Sequence, residues 1–95
     1  MRALYRISST VDRNTNSSKG IYGWNKGLFY IQNITLGRNG HLYSMESNKS
    51  LITSGVETIQ IHEDGIRIET KNTIYYLELA GYKLGEELCL KKSLL

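Results

Sequence analysis

The residues best suited to hold a ligand lie between positions 20 and 27, where three glycines alternate with two aromatic residues and a lysine. The glycines let the backbone bend sharply while the flat rings stay exposed. Tyr22 and Trp24 could then stack on a base, while Lys26 and backbone N–H groups meet a phosphate. The alternative is that the two rings plug the open end of a small domain. The segment is not a P-loop, because no Gly-Lys-Ser/Thr follows at the required spacing.

The residues that could catalyse a reaction are few and scattered. The chain has two histidines and one cysteine, and neither His41 nor His62 has a carboxylate placed to orient it. His62 is followed by Glu63 and Asp64, but neighbouring side chains of a strand point to opposite sides. No pair of His or Cys residues has the spacing of a metal site. The sequence therefore predicts a protein that is not an enzyme and that uses neither a metal nor a cofactor.

The positive charge is concentrated in the first half of the chain. Residues 1–50 hold seven basic and two acidic residues (+5), and residues 51–95 hold five basic and seven acidic (−2), which together give the net charge of +3. A basic half can bind phosphates or an acidic protein surface, although a mixed, solvated surface explains it equally well. Arg38 and Arg67 are the predicted supports for a phosphate. An isoelectric point near 9.1 argues against an acidic mimic of nucleic acid.

The composition predicts one β-rich domain over residues 1–95. Ten Ile and seven Tyr against two Ala favour strands, and nine Gly with seven Asn supply tight turns. We expect an all-β or mostly β fold: a small antiparallel meander or barrel-like domain of about five to seven strands. No apolar run is long enough to span a membrane, and one cysteine cannot form an internal disulfide. A cytoplasmic protein is the resulting expectation.

The first half contains one strand, a loop and a hairpin. Arg2 to Ser8 predicts a strand, with Ala3, Tyr5 and Ile7 on one side and Arg2, Leu4 and Arg6 on the other. The polar residues from Ser9 to Lys19 predict a long loop. Asn39-Gly40 is a strong hairpin signal after the strand Leu28 to Leu36. With these two residues as its loop, the hairpin would pair Arg38 with His41, Leu36 with Tyr43 and Ile34 with Met45.

A three-stranded meander is predicted between Val56 and Leu79. Asp64-Gly65 as a turn sets Ile61 opposite Ile68, and Lys71-Asn72 as the next turn sets Ile68 opposite Tyr75 and Ile66 opposite Leu77. Val56 falls out of phase with Ile59, which predicts a bulge near Glu57. The predicted core face comprises Ile59, Ile61, Ile66, Ile68, Tyr75, Leu77 and Leu79.

The other face of this meander is unusually apolar. Ile74 and Tyr76 point away from the core there, beside Arg67 and Glu69, so either the C-terminal tail or another subunit must cover them. We favour the tail, and expect a homo-oligomer if a subunit covers them instead. Within residues 82–95, a short helix is favoured because acidic residues precede basic ones, although a strand through Leu88, Cys89 and Leu90 also fits.

Residues Thr53-Ser54-Gly55-Val56 and the run from Glu69 to Glu78 look like the endings of small phage-encoded accessory proteins. The likeness covers residues 53–79. It implies a protein of a mobile element, and such proteins often block host defences, by inhibiting a nuclease or by sequestering a nucleotide signal. No functional residue is carried over from it.

Three functions are therefore expected of a binding protein like this one. The first is sequestration of a nucleotide-type signalling ligand at a homo-oligomer interface, through Tyr22, Trp24, Lys26, Arg38 and Arg67. The second is inhibition of a host defence protein, with Ile74, Tyr76 and Trp24 at the interface. The third is binding of single-stranded nucleic acid, for which aromatic and basic residues on a β surface are also suited.

Overall fold

The chain folds into a single antiparallel sheet of seven strands, as the sequence predicts. The computed structural model describes residues 2–18 and 27–90. Its strands are β1 (Arg2–Asp12), β2 (Phe29–Asn33), β3 (Asn39–Ser44), β4 (Lys49–His62), β5 (Gly65–Thr70), β6 (Thr73–Leu84) and β7 (Glu87–Leu90). Within those ranges no helix is long and apolar enough to cross a membrane.

The first six strands close into a ring. Each strand pairs with the next along the chain, and β1 also pairs with β6, from Arg2 opposite Lys83 to Asp12 opposite Thr73. The seam between β1 and β2 is much shorter, with Tyr5 opposite Phe29 as its one pair of partners. Closure gives each of the six strands a partner on both sides, although β1 meets β2 at one position only.

The core cluster lies inside this ring, and each of the six strands contributes one buried apolar side chain to this cluster. These residues are Ile7, Phe29, Leu42, Val56, Ile68 and Leu77. Half-buried residues such as Ile59, Ile66 and Tyr75 pack around them. Burying an aliphatic or aromatic side chain of this size contributes about 1.5–3 kcal/mol to stability.

The second half of the predicted meander is confirmed. Ile68 lies opposite Tyr75 and Ile66 opposite Leu77, as a turn at Lys71-Asn72 requires. The bulge expected near Glu57 is present, because the register shifts between Val56 and Thr58.

One member of the predicted core face is misplaced. Ile61 is 79% exposed, because it pairs with Ile66 at the end of the β4–β5 hairpin and not with Ile68 deeper in the sheet.

Two predicted turns are wrong, because the glycine of each lies within a strand. The β4–β5 turn is Glu63-Asp64, and Gly65 belongs to β5, where a Cβ would collide with the carbonyl of Leu77. Gly40 is buried in β3, and its N–H donates to Thr53 Oγ1 over 2.8 Å.

The β2–β3 register follows from where Gly40 lies. The loop falls before Asn39 and uses Gly37 at φ +85°, and Tyr30 pairs with Tyr43 while Asn33 pairs with His41. The predicted pairs Arg38–His41, Leu36–Tyr43 and Ile34–Met45, which require Asn39-Gly40 as the loop, are therefore not formed. In both hairpins the glycine is needed for close approach of two strands, and a turn signal does not distinguish that use.

Strand β1 is longer and more irregular than its sequence predicts. It runs on to Asp12 through part of the predicted polar loop, and its register against β6 shifts after Leu4 and again after Ile7. These irregularities break the alternation of sides, so Leu4 is fully buried although the pattern places it with Arg2 and Arg6. Such bulges bend a strand, and bending is needed for a short sheet to close.

The favoured C-terminal helix is wrong over residues 82–90. Leu84 pairs with Glu87 across a turn that contains Gly85 at φ +60°, and β7 then runs back along the end of β6. Gly81 permits this pairing, since a Cβ there would collide with the carbonyl of Cys89. The tail through Leu90 does not cover Tyr76, which remains 37% exposed.

The hydroxyl of Thr70 holds the β5–β6 turn together. It donates to the carbonyl of Thr73 over 2.7 Å and accepts from the Thr73 N–H over 3.1 Å. It also accepts from the hydroxyl of Ser54 on β4, over 2.8 Å. Since Thr70 is fully buried, water cannot replace these bonds.

We expect Thr70→Val to lower the free energy of unfolding by about 1–3 kcal/mol, because the methyl group keeps the volume but removes three buried hydrogen bonds. Urea unfolding measures this change. Thr58→Val on the exposed face of β4 is the matched control and should change stability by less than about 0.5 kcal/mol. Equal effects of the two substitutions would show that the hydroxyl of Thr70 does not stabilise the turn.

Alkaline pH should destabilise the protein through Tyr75. Burial raises the pKa of this phenol above its ordinary value of 10.0, and a hydrogen bond with Thr73 offsets part of that rise. Because the pKa of Tyr75 is higher in the folded state, its neutral phenol contributes fully to the free energy of unfolding below pH 10.0. This contribution is lost as the pH rises through the folded-state pKa. Urea midpoints between pH 8 and 11 should therefore fall less steeply in Tyr75→Phe than in the wild type. The exposed Tyr76→Phe is the control and should follow the wild type.

Candidate functional site

The loop with the strongest ligand-binding pattern lies outside the described residues. Tyr22, Trp24 and Lys26 belong to residues 19–26, so both the binding-loop and the plug interpretation stay predictions.

Arg38 and Arg67, the two predicted arginines, lie on different parts of the surface. Arg38 is exposed in the β2–β3 loop, where its N–H donates to the Thr35 carbonyl and its own carbonyl accepts from the Val56 N–H. Arg67 lies on β5, directly opposite Tyr76 of β6. The structure therefore groups Arg67 with the predicted interface residues and places Arg38 on a separate loop.

Arg67 and Tyr76 form an ordered pair on the outer face of the sheet. The guanidinium carbon lies 5.7 Å from the centre of the ring, and Nε donates to the phenol oxygen over 3.4 Å. A second donor reaches Glu69 Oε2 over 3.1 Å. The hydrogen bond with Tyr76, followed by that with Glu69, raises the pKa of Arg67 above its ordinary value. A guanidinium has five N–H donors, so others remain for a ligand.

The charged row continues beyond Glu69 to Arg13, just after β1. Arg13 contacts Glu69 Oε1 over 3.0 Å, forms an ion pair with Glu57 and donates to the Thr70 carbonyl over 2.7 Å. The hydrogen bond with Glu57 is the main cause of a raised Arg13 pKa. Ile74 lies opposite Glu69 on β6 and is half-buried. We call the surface formed by Arg67, Glu69, Ile74 and Tyr76 the Arg67 face.

A shallow groove of about 250 Å³ runs beside this face. Its charged lining residues are Arg67, Asp64 and Glu78, with His62 and the hydroxyl of Ser8 close by. Two carboxylates against one guanidinium make the groove a poor place for a phosphate. It suits a protein surface with both polar and apolar groups better.

A second cavity, of about 380 Å³, lies where β2 begins and β3 turns into β4. It is lined by Phe29, Ser44, Ser47, Lys49, Ser50 and Leu51, and we call it the Lys49 cavity. Lys49 is the one charged side chain among these lining residues, and three serines add hydroxyl groups. A volume of this size, with a few polar groups on an apolar floor, is typical of sites for small ligands.

The serines of this cavity are held in defined positions. Ser44 accepts a hydrogen bond from the Ser47 N–H over 3.2 Å, within the β3–β4 turn. Ser50 donates to Gln32 Oε1 over 2.7 Å. Phe29 is almost fully buried beneath them. The cavity also adjoins the predicted binding loop along the chain, because Lys26 precedes Phe29 by only three positions.

Sequence reasoning missed the Lys49 cavity and the Arg13 network for the same reason. Each combines elements that are distant along the chain, and no residue spacing marks them. Lys49 lies in a polar stretch that the sequence predicts to be a connection between strands. Arg13 lies in the polar stretch that it predicts to be a loop. The contact between Arg67 and Tyr76 was predictable, because one tight turn joins their strands.

Within residues 2–18 and 27–90, no group of three or more His, Cys, Asp or Glu residues is arranged to hold a metal ion. His62 is exposed beside the groove, and Cys89 is exposed on β7.

Comparison with known proteins adds no relative. A scan against models of protein families finds no match, and searches of curated proteins and of solved structures find none either.

Proposed function

We propose that this chain is a non-enzymatic binding protein whose Lys49 cavity takes a nucleotide-type ligand. The observation that supports it is the lining of the cavity: one lysine, three serines, Phe29 and Leu51, with no carboxylate among the lining residues that the structure describes. A phosphate can bind beside the ammonium group and accept hydrogen bonds from hydroxyls, while a flat ring lies on the apolar floor.

The predicted binding loop strengthens this assignment. Residues 20–27 contain Tyr22, Trp24 and Lys26 and end two positions before Phe29, which lines the cavity. Stacking of these two rings on a base, which the sequence predicts, would add to the binding. Sequestration of a signalling nucleotide, as phage counter-defence proteins perform it, is the role that we propose on the basis of the sequence resemblance.

We expect isothermal titration calorimetry to detect binding of a cyclic dinucleotide or an ADP-ribose-type nucleotide. Lys49→Gln should weaken that binding about tenfold to a hundredfold, because one charge-assisted hydrogen bond is lost. Lys71→Gln, an exposed lysine at the β5–β6 turn, is the matched control and should bind as the wild type does. Absence of binding across both ligand classes, or equal loss in the two variants, would refute a nucleotide site at Lys49.

A second candidate function is inhibition of a protein partner through the Arg67 face. Arg67 is already fixed by Glu69 and Tyr76, so docking would cost little side-chain entropy. Tyr and Arg are the residues most often found at the energetic centre of protein interfaces. The alternating charges of Arg13, Glu57 and Glu69 would add specificity at the rim. A host defence nuclease is the partner class that we propose.

We expect a tagged wild-type protein to retain a defined partner from host lysate that the double variant Arg67→Ala, Tyr76→Ala does not retain. Each truncation at an interface centre should weaken binding roughly tenfold or more. Ile52→Ser, where β4 pairs with β3, is the control, since Ile52 is also an exposed apolar residue. A partner retained equally by all three proteins would show that the Arg67 face is not the binding surface. Binding of single-stranded nucleic acid would instead fall steeply with added salt in both variants.

A further inference from the structure

A row of cationic and aromatic side chains crosses the outer face of the sheet where β6, β1, β2 and β3 lie side by side. Arg2 of β1 lies directly opposite Lys83 of β6, and Tyr30 of β2 lies directly opposite Tyr43 of β3. Residues directly opposite each other share a face of the sheet. Phe29 belongs to the core, so its neighbour Tyr30 points outward, and Tyr43 with it. We call Arg2, Lys83, Tyr30 and Tyr43 the Tyr30 platform.

The flat groups of the platform are stacked on one another. The guanidinium carbon of Arg2 lies 4.0 Å from the centre of the Tyr30 ring, which places Arg2 on the same outer face. The centres of the Tyr30 and Tyr43 rings are 4.9 Å apart, and their planes differ by 32°. The phenol of Tyr43 donates to Asn48 Oδ1 over 3.1 Å, which fixes the second ring. The platform is therefore ordered before any ligand arrives, so binding costs little side-chain entropy.

The two cations of the platform have no carboxylate partner. Among the residues that the structure describes, no Asp or Glu forms an ion pair with Arg2 or Lys83. Arg13 and Arg67, by contrast, are each paired with Glu69. Like charges directly opposite each other in a sheet are unfavourable, and a bound anion would offset this cost. The platform therefore combines an uncompensated positive charge with two rings.

A ligand that carries both flat rings and phosphates matches this arrangement. Bases of any sequence stack on aromatic side chains and on the plane of a guanidinium. The bases of a duplex are already stacked on each other, so only a single strand offers their flat faces. Neighbouring strands of a sheet lie about 4.8 Å apart, so a row across four strands is about 15 Å long. That length accommodates several nucleotides, since stacked bases of one strand rise about 3.4 Å each.

We propose that the Tyr30 platform binds single-stranded nucleic acid, with bases stacked on Tyr30 and Tyr43 and phosphates held by Arg2 and Lys83. Recognition through ring faces and phosphates gives little preference for base sequence. The platform shares no residue with the lining of the Lys49 cavity or with the Arg67 face, and it does not depend on what either of them binds.

The phosphate contacts are tested by the salt dependence of binding. We expect fluorescence anisotropy of the full chain to detect binding of a fluorescein-labelled homothymidine strand of about 15 nucleotides, weakening as salt rises from about 50 to 200 mM. Arg2→Gln and Lys83→Gln should each weaken binding and reduce the slope of log K against log salt by about 0.7. Lys71→Gln, at the exposed β5–β6 turn, is the matched control and should change neither quantity.

The stacking contacts are tested by removing and restoring a ring. Tyr30→Leu and Tyr43→Leu should each weaken binding of the same strand roughly tenfold, because leucine keeps apolar bulk but has no flat face. Tyr43→Phe keeps the ring and should bind nearly as the wild type does, although it loses the hydrogen bond with Asn48. Tyr82→Leu is the control. Tyr82 is 40% exposed and adjoins Lys83 on β6, so it points to the other face.

Four outcomes would overturn the proposal. They are absence of binding at about 50 mM salt, equal losses in Arg2→Gln and Lys71→Gln, Tyr43→Phe binding as weakly as Tyr43→Leu, and a duplex that competes as well as the single strand. In the last case positive charge alone would account for binding. Urea unfolding establishes that each variant is folded. Arg2→Gln changes an exposed residue, so it tests the proposal even if a tyrosine variant does not fold.

Discussion

Pairing of β1 with β6 is the constraint on which this fold depends. It joins the two ends of the chain over nearly the whole of β1, and it converts an open sheet into a ring with one buried side chain from each strand. A chain of 95 residues has little surface to bury, and its described strands form no second layer. The sheet therefore buries its apolar face by closing on itself. The register shifts after Leu4 and Ile7 supply the bending that closure requires.

How much the sequence predicts depends on how far apart the paired residues are. The β5–β6 register was predictable because Lys71-Asn72 joins strands whose alternating apolar residues agree with each other. Asn39-Gly40 and Asp64-Gly65 gave equally strong turn signals, yet their glycines are needed inside strands for close contact with a neighbour. Glycine occurs both in tight turns and where two strands approach closely. Which of the two roles a glycine has depends on the strand that lies beside it in the fold.

The same limit applies to the candidate sites. Arg67 and Tyr76 meet because a local hairpin brings them together, whereas Arg13 reaches Glu69 only because β1 pairs with β6. The Lys49 cavity depends on Phe29 lying beneath the β3–β4 turn, and no periodicity in the sequence relates the two. In the tail, the acidic residues that suit the start of a helix lie in a hairpin instead: Glu86 is in its turn and Glu87 begins β7, and Gly81 and Gly85 allow this hairpin to form.

Closure also determines where this molecule can bind anything. Six buried side chains occupy the ring, and the two cavities lie where β2 begins and β3 turns into β4, and beside the Arg67 face. In the described structure each of β1 to β6 has a partner strand on both sides, whereas β7 has a partner on its β6 side only. Neither Lys49 nor Arg67 lies on β7, and each lines a different cavity, so a substitution of one leaves the lining residues of the other unchanged.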